Sequence, residues 1–566
     1  MRSQTPDVDL IVLGSGAGGM TAALTASVLG LNVLVVEKAA VVGGTTSRSA
    51  GAVWIPNSRH SKTGDTPQQA LAYLRVSLGN RLRESMVAAF LRAGPQMIGF
   101  LEDNTSVAFR AFAHHPDYLA ALEGATLSGR VLEPVPFNAA VLGKHLATLR
   151  RPLPEFTLLG GMMVDRVDIG HLLNATKSLA SLQHVAGLVG RYGADRLRFG
   201  RGARLVMGNA LAGRLYYSLL QRHVPFEMLA EARSLIEREG RVAGVVLQTS
   251  DGLRDVGSRC GVVLATGGIS RHLRLRQQLM PAALRAESPV VESATGDGAM
   301  LAQATGAHLG DNHASNAFWA PISMRPRRDG STAVFPHLVL DRGKPGLIAI
   351  NPDGKRFVSE ATDYHLFVEA MLAELASRPT QPCFLICDDD FMVKYGLGMV
   401  RPRRLNLRKA VAQGYVVRAS NLEGLAAELG VPARALSAVV ERHNRFARTG
   451  VDEDFGKGND AYQRNLGDAA HAPNPCIGPL AKSPFYAVKI YPGDIGASCG
   501  MVTNECAQVL RKDGSTVDGL YACGNDMDSI MAGIYPGPGI TLGPALTFGY
   551  LAARHAAEHR CGGLST

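Results

Sequence analysis

The sequence predicts an α/β protein in which a parallel-sheet domain is interrupted by a second, α+β domain. Three observations carry that expectation. First, the apolar run Leu10-Ile11-Val12-Leu13 leads into Gly14-Ser15-Gly16-Ala17-Gly18-Gly19, then an alanine-rich helix, then a second apolar run ending in Glu37. Second, a glycine-rich segment returns near the C-terminus at Tyr521-Ala522-Cys523-Gly524-Asn525, followed by Tyr535-Pro536-Gly537-Pro538-Gly539. Third, from about 314 to 488 the texture changes to short strands separated by Pro and Arg.

Taken in order, Leu10 to Leu13 has no polar residue, as a strand buried on both faces should not. Met20 to Leu29 is the helix, and Asn32-Val33-Leu34-Val35-Val36-Glu37 is the second strand. Arg241 to Leu247 and Gly261 to Gly268 read as strands flanking the turn Ser250-Asp251-Gly252. Helices are expected at roughly 364–377 and 421–447, with a closing helix from about Gly543 to His559. The expected division is a first part of the cofactor domain over 1–313, a catalytic domain over 314–488, and a returning cofactor part over 489–566. A helical insertion is expected at about 130–222, where Arg150-Arg151, Arg196, Arg198, Arg201 and Arg204 sit among apolar residues. Helices packed on the cofactor domain with snorkelling arginines explain it most simply. A basic amphipathic patch that touches a membrane surface is the alternative.

At 566 residues the chain exceeds one ordinary core. Apolar content of 46% and charged content of 19% fit a globular protein, and the 63 glycines fit many tight strand-to-helix turns. A net charge of +10 spread over this length, with only 6% aromatics, argues against nucleic-acid binding. The eight cysteines, Cys561 among them, form no C-x-x-C pair and suggest neither a zinc site nor a disulfide framework. A reducing, cytoplasmic setting is expected. Met1 to Asp7 carry no secretion signal, and no apolar run is long enough to span a bilayer.

A lone G-x-G-x-x-G is weak evidence, but here it lies between strand and helix, with an acid closing the next strand. Gly14 permits the tight turn, Gly16 lets backbone approach a pyrophosphate, and Gly19 lets helix and strand pack closely. The helix N-terminus supplies free N–H groups to the phosphates. Glu37 is the expected ribose acceptor. This is a Rossmann-like dinucleotide site. A second glycine-rich loop, Gly43-Gly44-Thr45-Thr46-Ser47, suits a cofactor that extends onward past the ribose, as FAD does.

Together with Ala265-Thr266-Gly267-Gly268, Thr295-Gly296-Asp297-Gly298 and Gly524-Asn525, these segments resemble the FAD-binding family of fumarate reductase and succinate dehydrogenase flavoproteins. The resemblance assigns Ala17, Gly18, Lys38, Ala232, Asp297, Ile540, Thr541 and Leu542 to the cofactor as well, together with Gly539. No histidine lies between Gly43 and Asn57, so FAD is expected to be held noncovalently. Enzymes acting on dicarboxylates place arginine in the C-terminal glycine segment, whereas this chain has Tyr535-Pro536-Gly537-Pro538-Gly539 without a cation. With Pro116-Asp117-Tyr118 and Arg356-Phe357-Val358-Ser359-Glu360 before Tyr364, that departure is similar to the 3-ketosteroid Δ1-dehydrogenase branch.

The resemblance implies a reaction. Tyr535 and the Gly539 N–H would hold the ketone oxygen like an oxyanion hole. Tyr364 would take the C2 proton, aided by a hydrogen bond from Tyr118, and the flavin N5 would take hydride from C1. Any one of the 14 tyrosines is more often packing than chemistry, and the assignment rests on the resemblance. Desaturation of another cyclic ketone, of the cyclohexanone type or at the 4,5-bond of a ketosteroid, stays open, as does a flavin-containing binding protein without turnover. There is no second nucleotide fingerprint, haem-attachment motif or iron–sulfur spacing, so an external acceptor, a quinone or redox protein, is expected to receive the electrons. His114-His115, Phe318-Trp319 and a turn at Tyr491-Pro492-Gly493-Asp494 are candidate pocket lining; the histidine pair lacks the company a metal needs.

Overall fold

A computed structural model describes residues 8–62 and 64–559. The residues Met1 to Asp7 and Cys561 lie outside that range.

Two large sheets organise the chain. In the first, Thr516–Ala522, Gly252–Leu264, Val8–Leu13, Val33–Glu37 and Phe226–Met228 run parallel in that order, with Gln508–Leu510 antiparallel on one edge. Strands from both ends of the chain, Val8–Leu13 and Thr516–Ala522, therefore lie in one sheet. Strand Gly252–Leu264 pairs antiparallel with Arg241–Thr249 over its first half and then continues between Val8–Leu13 and Thr516–Ala522. It stops at Leu264, four residues before the expected end, because Ala265–Gly268 turns away into a loop of positive-φ glycines.

The second sheet is six-stranded and antiparallel, ordered Thr332–Pro336, Ala317–Pro326, Phe485–Ala497, Cys383–Cys387, Leu347–Ile350, with Val417–Ala419 on Phe485–Ala497. Strand Phe485–Ala497 runs straight through position 488, where the sequence reading placed a domain edge. Tyr491 to Asp494, expected as a turn, lie inside it and pair with Trp319 to Ile322. The helix expected at 421–447 is two helices, Leu422–Leu429 and Ala433–Thr449, because Gly430 takes a left-handed φ of 71° and Pro432 cannot continue the first helix.

The Leu542–Glu558 helix packs on Ala17–Val28 with glycine against glycine: a Cβ on Gly549 would lie 2.5 Å from the Gly18 carbonyl oxygen. One hydrophobic core runs from Leu10 to Ala556 through both sheets. The 130–222 region is mixed rather than purely helical. Met207–Gln221 is buried against the first helix, whereas Leu179–Phe199 buries only Ser181 and Tyr192.

Candidate active site

The first glycine turn is held by backbone sterics. Gly14 has φ 107°, and a Cβ there would sit 2.1 Å from the Ala265 carbonyl oxygen. A Cβ on Gly19 would sit 2.2 Å from the Gly14 carbonyl oxygen, whereas one on Gly16 meets only open space. That space is the cradle a pyrophosphate needs, and the helix behind it has no side-chain cap. Thr46 Oγ1 accepts from Ala17 N at 3.0 Å, tying the second glycine-rich loop to the helix start. The buried Ser47 hydroxyl in that loop has no protein partner, which leaves a polar atom for a cofactor. Glu37 closes its strand with the carboxylate accepting from Ser15 N at 3.0 Å and Ala39 N at 2.8 Å. Lys38 pairs with Asp297 at 2.8 Å.

These residues line one cavity of about 1000 Å³. Of the residues assigned to the cofactor, Gly43, Gly268 and Ile540 lie behind its wall and the others line it. Gly43 N donates to the Ser15 carbonyl at 3.0 Å, and a Cβ on Gly268 would lie 2.7 Å from the Asn525 carbonyl oxygen, so both act through backbone packing. Ile540 is fully buried. Asp526 was missed by sequence reasoning although it directly follows Gly524-Asn525. Its carboxylate accepts from Thr266 N, from Thr266 Oγ1 at 3.0 Å and from Gly268 N at 2.9 Å, and burial pushes it up to about 6.

At the other end the cavity reaches Tyr118, Tyr364, Tyr535 and Gly539. Residues 246 apart in sequence meet here, the Tyr118 and Tyr364 hydroxyls lying 3.2 Å apart in a hydrogen bond. The Tyr535 ring stacks on Tyr118 at 5.5 Å and meets Tyr364 edge-on at 5.0 Å. Tyr364 opens the Tyr364–Glu374 helix, which Asp363 caps by accepting from His365 N and Leu366 N. His365 Nδ1 in turn accepts from Trp319 N at 3.0 Å, locking the helix to the second sheet. Tyr118 is placed by its own backbone, which donates to the Pro536 carbonyl at 2.9 Å, and Tyr73 OH donates to the same oxygen. Two segments more than 400 residues apart are thereby joined at one carbonyl.

Gly539 has φ 92°, and a Cβ there would lie 2.5 Å from the backbone of Ala52. Its carbonyl accepts from Trp54 N at 3.2 Å and Gly543 N at 2.8 Å, while its N–H donates to no protein acceptor among the described residues. Burial pushes the Tyr535 phenol up to about 12, and Tyr118 and Tyr364 well above the ordinary value of a phenol. Beneath Tyr118, Asp117 accepts from Trp54 Nε1 at 2.9 Å and from the buried Arg130 at 2.8 Å.

His115, of the predicted lining residues, reaches the cavity wall; its burial holds it neutral, near 4. Phe318 instead packs edge-on against Tyr535 at 5.4 Å. The sequence reading also missed Tyr462, fully buried with its ring 4.5 Å from that of Tyr118, and no motif signals it. Arg48 and Lys38, cations on the cavity wall, are engaged by Glu292 and Asp297. The described residues offer no cluster of His, Cys, Asp and Glu suited to a metal.

Comparison with known proteins adds independent findings. The family described as FAD binding domain matches residues 9–542. The chain is 36% identical to a 3-oxosteroid 1-dehydrogenase of Mycobacterium tuberculosis over 98% of both chains. It is 35% identical to a 4-oxocyclohex-2-ene-1-carboxylate 5-dehydrogenase of Sinomonas cyclohexanicum over 98% of this chain and 95% of that one. A crystal structure of 3-ketosteroid delta1-dehydrogenase from Sterolibacterium denitrificans, in complex with 1,4-androstadiene-3,17-dione, superposes with a TM-score of 0.91 at 36% identity, covering 98% of this chain and 100% of that one.

Proposed function

The chain belongs to the FAD-binding flavoprotein family, and from that premise we propose that it is an FAD-dependent dehydrogenase introducing a C=C bond beside a ring ketone, by 3-ketosteroid 1,2-desaturation. The observation that carries the reading is the hydrogen-bonded pair Tyr118–Tyr364 beside Tyr535 and Gly539, on the wall of the same cavity as the glycine cradle. Gly14 to Gly19 would hold the pyrophosphate, and Lys38, Gly44 to Ser47, Ala265 to Gly267, Gly539, Thr541 and Leu542 would hold the rest of the noncovalent cofactor.

Tyr535 OH and the free Gly539 N–H hold the ketone oxygen and stabilise the charge that develops there. The C2–H bond breaks toward Tyr364, whose phenolate oxygen takes the proton while the C2 electrons enter the enolate. Tyr118 donates its hydroxyl hydrogen bond to that phenolate oxygen. Bound FAD supplies the two-electron oxidant that accepts the C1 hydride. A buried phenol is seldom ionised at neutral pH, so the pair stabilises the base by sharing a proton.

A second reading, desaturation of a monocyclic keto acid, is supported by the Sinomonas relative that acts on a cyclohexene carboxylate. Anaerobic mixing of the yellow holoenzyme with a 3-keto-4-ene steroid is expected to bleach the flavin and give the 1,4-diene. Faster bleaching by 4-oxocyclohexanecarboxylate would transfer the assignment to the second reading, and spectral shifts without bleaching would make this a binding protein.

Electrons leave to an external quinone or redox protein. Peripheral membrane contact through the 158–199 region is supported by apolar residues that face solvent there. Leu197 is 93% exposed, Leu179 71% and Leu159 62%. Arg151, Lys177, Arg191, Arg196 and Arg198, in or next to the same stretch of sequence, are exposed as well. Leu172 and Leu173, on the adjacent Arg166–Asn174 helix, line the cavity. No helix among the described residues is long and apolar enough to cross a membrane.

A further inference from the structure

Of the five buried cations among the described residues, three face carboxylates, while Arg201 bonds only the Leu146 and Leu149 carbonyls. Arg130 pairs with Asp65 and Asp117, Arg356 with Glu360 and Asp452, and Lys457 with Glu360. Arg342 is as buried, at 1% exposure, yet no carboxylate among the described residues approaches its guanidinium within ion-pair distance. Its donors all go to main-chain carbonyls: Nε to His337 at 2.8 Å, Nη2 to Leu338 at 3.0 Å, and Nη1 to Glu360 at 3.0 Å and Thr362 at 3.2 Å. The guanidinium carbon lies 4.6 Å from the centre of the Phe367 ring, one turn below Tyr364.

An unpaired buried cation is costly unless another group uses its charge. The groups that feel Arg342 most are Tyr462, Asp341, Asp363 and Tyr118. Of these, Asp341 is already bound by His337 at 2.6 Å and by Gly398 N at 3.1 Å. Asp363 opposes phenol ionisation from the helix cap, and one of its oxygens is buried without a partner. Tyr462 relays the contact, its ring packed on Tyr118. The remaining ionisable groups around the cluster are Tyr535, Asp460, His365 with its ring 6.1 Å from Tyr535, and His115 with its ring 6.3 Å from Tyr118. Burial holds His115 neutral, and His365 is taken up by Trp319 N on Nδ1 and by Glu369, 3.3 Å from its Nε2.

We propose that Arg342 is a positioning residue for the proton abstraction. Its bonds to the Glu360 and Thr362 carbonyls set the chain that leads into Tyr364, and its uncancelled charge offsets Asp363 so that a phenolate can exist among Tyr118, Tyr364 and Tyr462. The proposal rests on the dehydrogenase reading and adds to it a residue outside the cavity wall, with a defined electrostatic task.

The test is single-turnover flavin reduction by a 3-keto-4-ene steroid across pH 6 to 10, with deuterium uptake at C2 from D2O as a second readout on the same holoenzymes. In Arg342→Gln both rates should fall about tenfold at pH 7, with the rising limb displaced upward by about one pH unit. Asp363→Asn retains the helix cap and should displace the limb downward. Arg342→Lys should leave the limb near its wild-type position. Equal loss at every pH in Arg342→Gln, or Asp363→Asn moving the limb the same way, overturns the proposal. If Arg342→Gln does not fold, the Asp363→Asn and Arg342→Lys limbs decide. A wild-type protein that neither bleaches nor exchanges overturns the dehydrogenase reading and this proposal together; a wild type that does both while the variants leave the limb in place overturns this proposal alone.

Discussion

The Tyr364 hydroxyl accepts from Tyr118 at 3.2 Å, has the Tyr535 phenol beside it, and sits where burial disfavours its charge. A base so placed works only in the ionised fraction, which grows tenfold per pH unit below the phenol's own pKa. Flavin reduction should therefore rise with pH from neutrality into the alkaline range, since the pKa is raised and the active form is the deprotonated one. Tyr364→Phe should keep its yellow colour and lose about 10²–10⁴-fold in the rate of flavin reduction, the span general-base catalysis covers. Full activity in that variant would remove the assigned base. At this scale the sequence was legible where a residue is bound to a motif, as Gly14, Gly16 and Gly539 are. Tyr462 and Arg342 were not legible, because their contacts come from chain segments with no shared spacing.

Among elements, the segment entering the Tyr364–Glu374 helix is anchored from behind by Arg356, Glu360, Asp452 and Lys457. Burial works to raise the Glu360 carboxyl, but Arg356 and then Lys457 more than cancel it and hold it well below the ordinary carboxylate range. A depressed carboxyl contributes stability above its unfolded value of about 4.3, and that contribution is lost as pH falls further. Glu360→Gln leaves two buried cations without their shared partner and should cost about 3–5 kcal/mol at neutral pH. Thermal melts at pH 7 and pH 3 check this, with the variant losing less than the wild type between the two. Strand and helix identities near the N-terminus were readable from the apolar runs flanking the glycine turn and the alanine-rich stretch between them. The split at Gly430 was written in the sequence too, as Gly430-Val431-Pro432, but a helical pattern on both sides concealed it.

For the whole molecule, the cavity of about 1000 Å³ extends from the glycine cradle to the Arg166–Asn174 helix, beside the exposed leucines of Leu179–Phe199. An apolar ketone that partitions into lipid would meet the cavity on this side. Replacing Leu179 and Leu197 together by Ser should lower co-sedimentation with anionic phosphatidylserine vesicles while leaving flavin content unchanged. Each exposed leucine that enters the bilayer contributes on the order of 1–3 kcal/mol, so two should reduce vesicle binding at least tenfold. Equal co-sedimentation of both proteins would exclude this surface as the contact.

The sequence by itself determined the strands of the parallel sheet and the dinucleotide turn, because each is written in contiguous residues whose spacing has a direct geometric meaning, while the candidate tyrosines came from the family resemblance. Only the tertiary structure decided that Tyr118 joins the Tyr535–Gly539 segment through the Pro536 carbonyl, that Tyr364 meets the Tyr535 ring edge-on, and that Arg342 lies behind them; the Tyr118–Tyr364 hydrogen bond that the resemblance implied is present. Those contacts join segments hundreds of residues apart, and their geometry is set by how two sheets share one core, which no local pattern encodes.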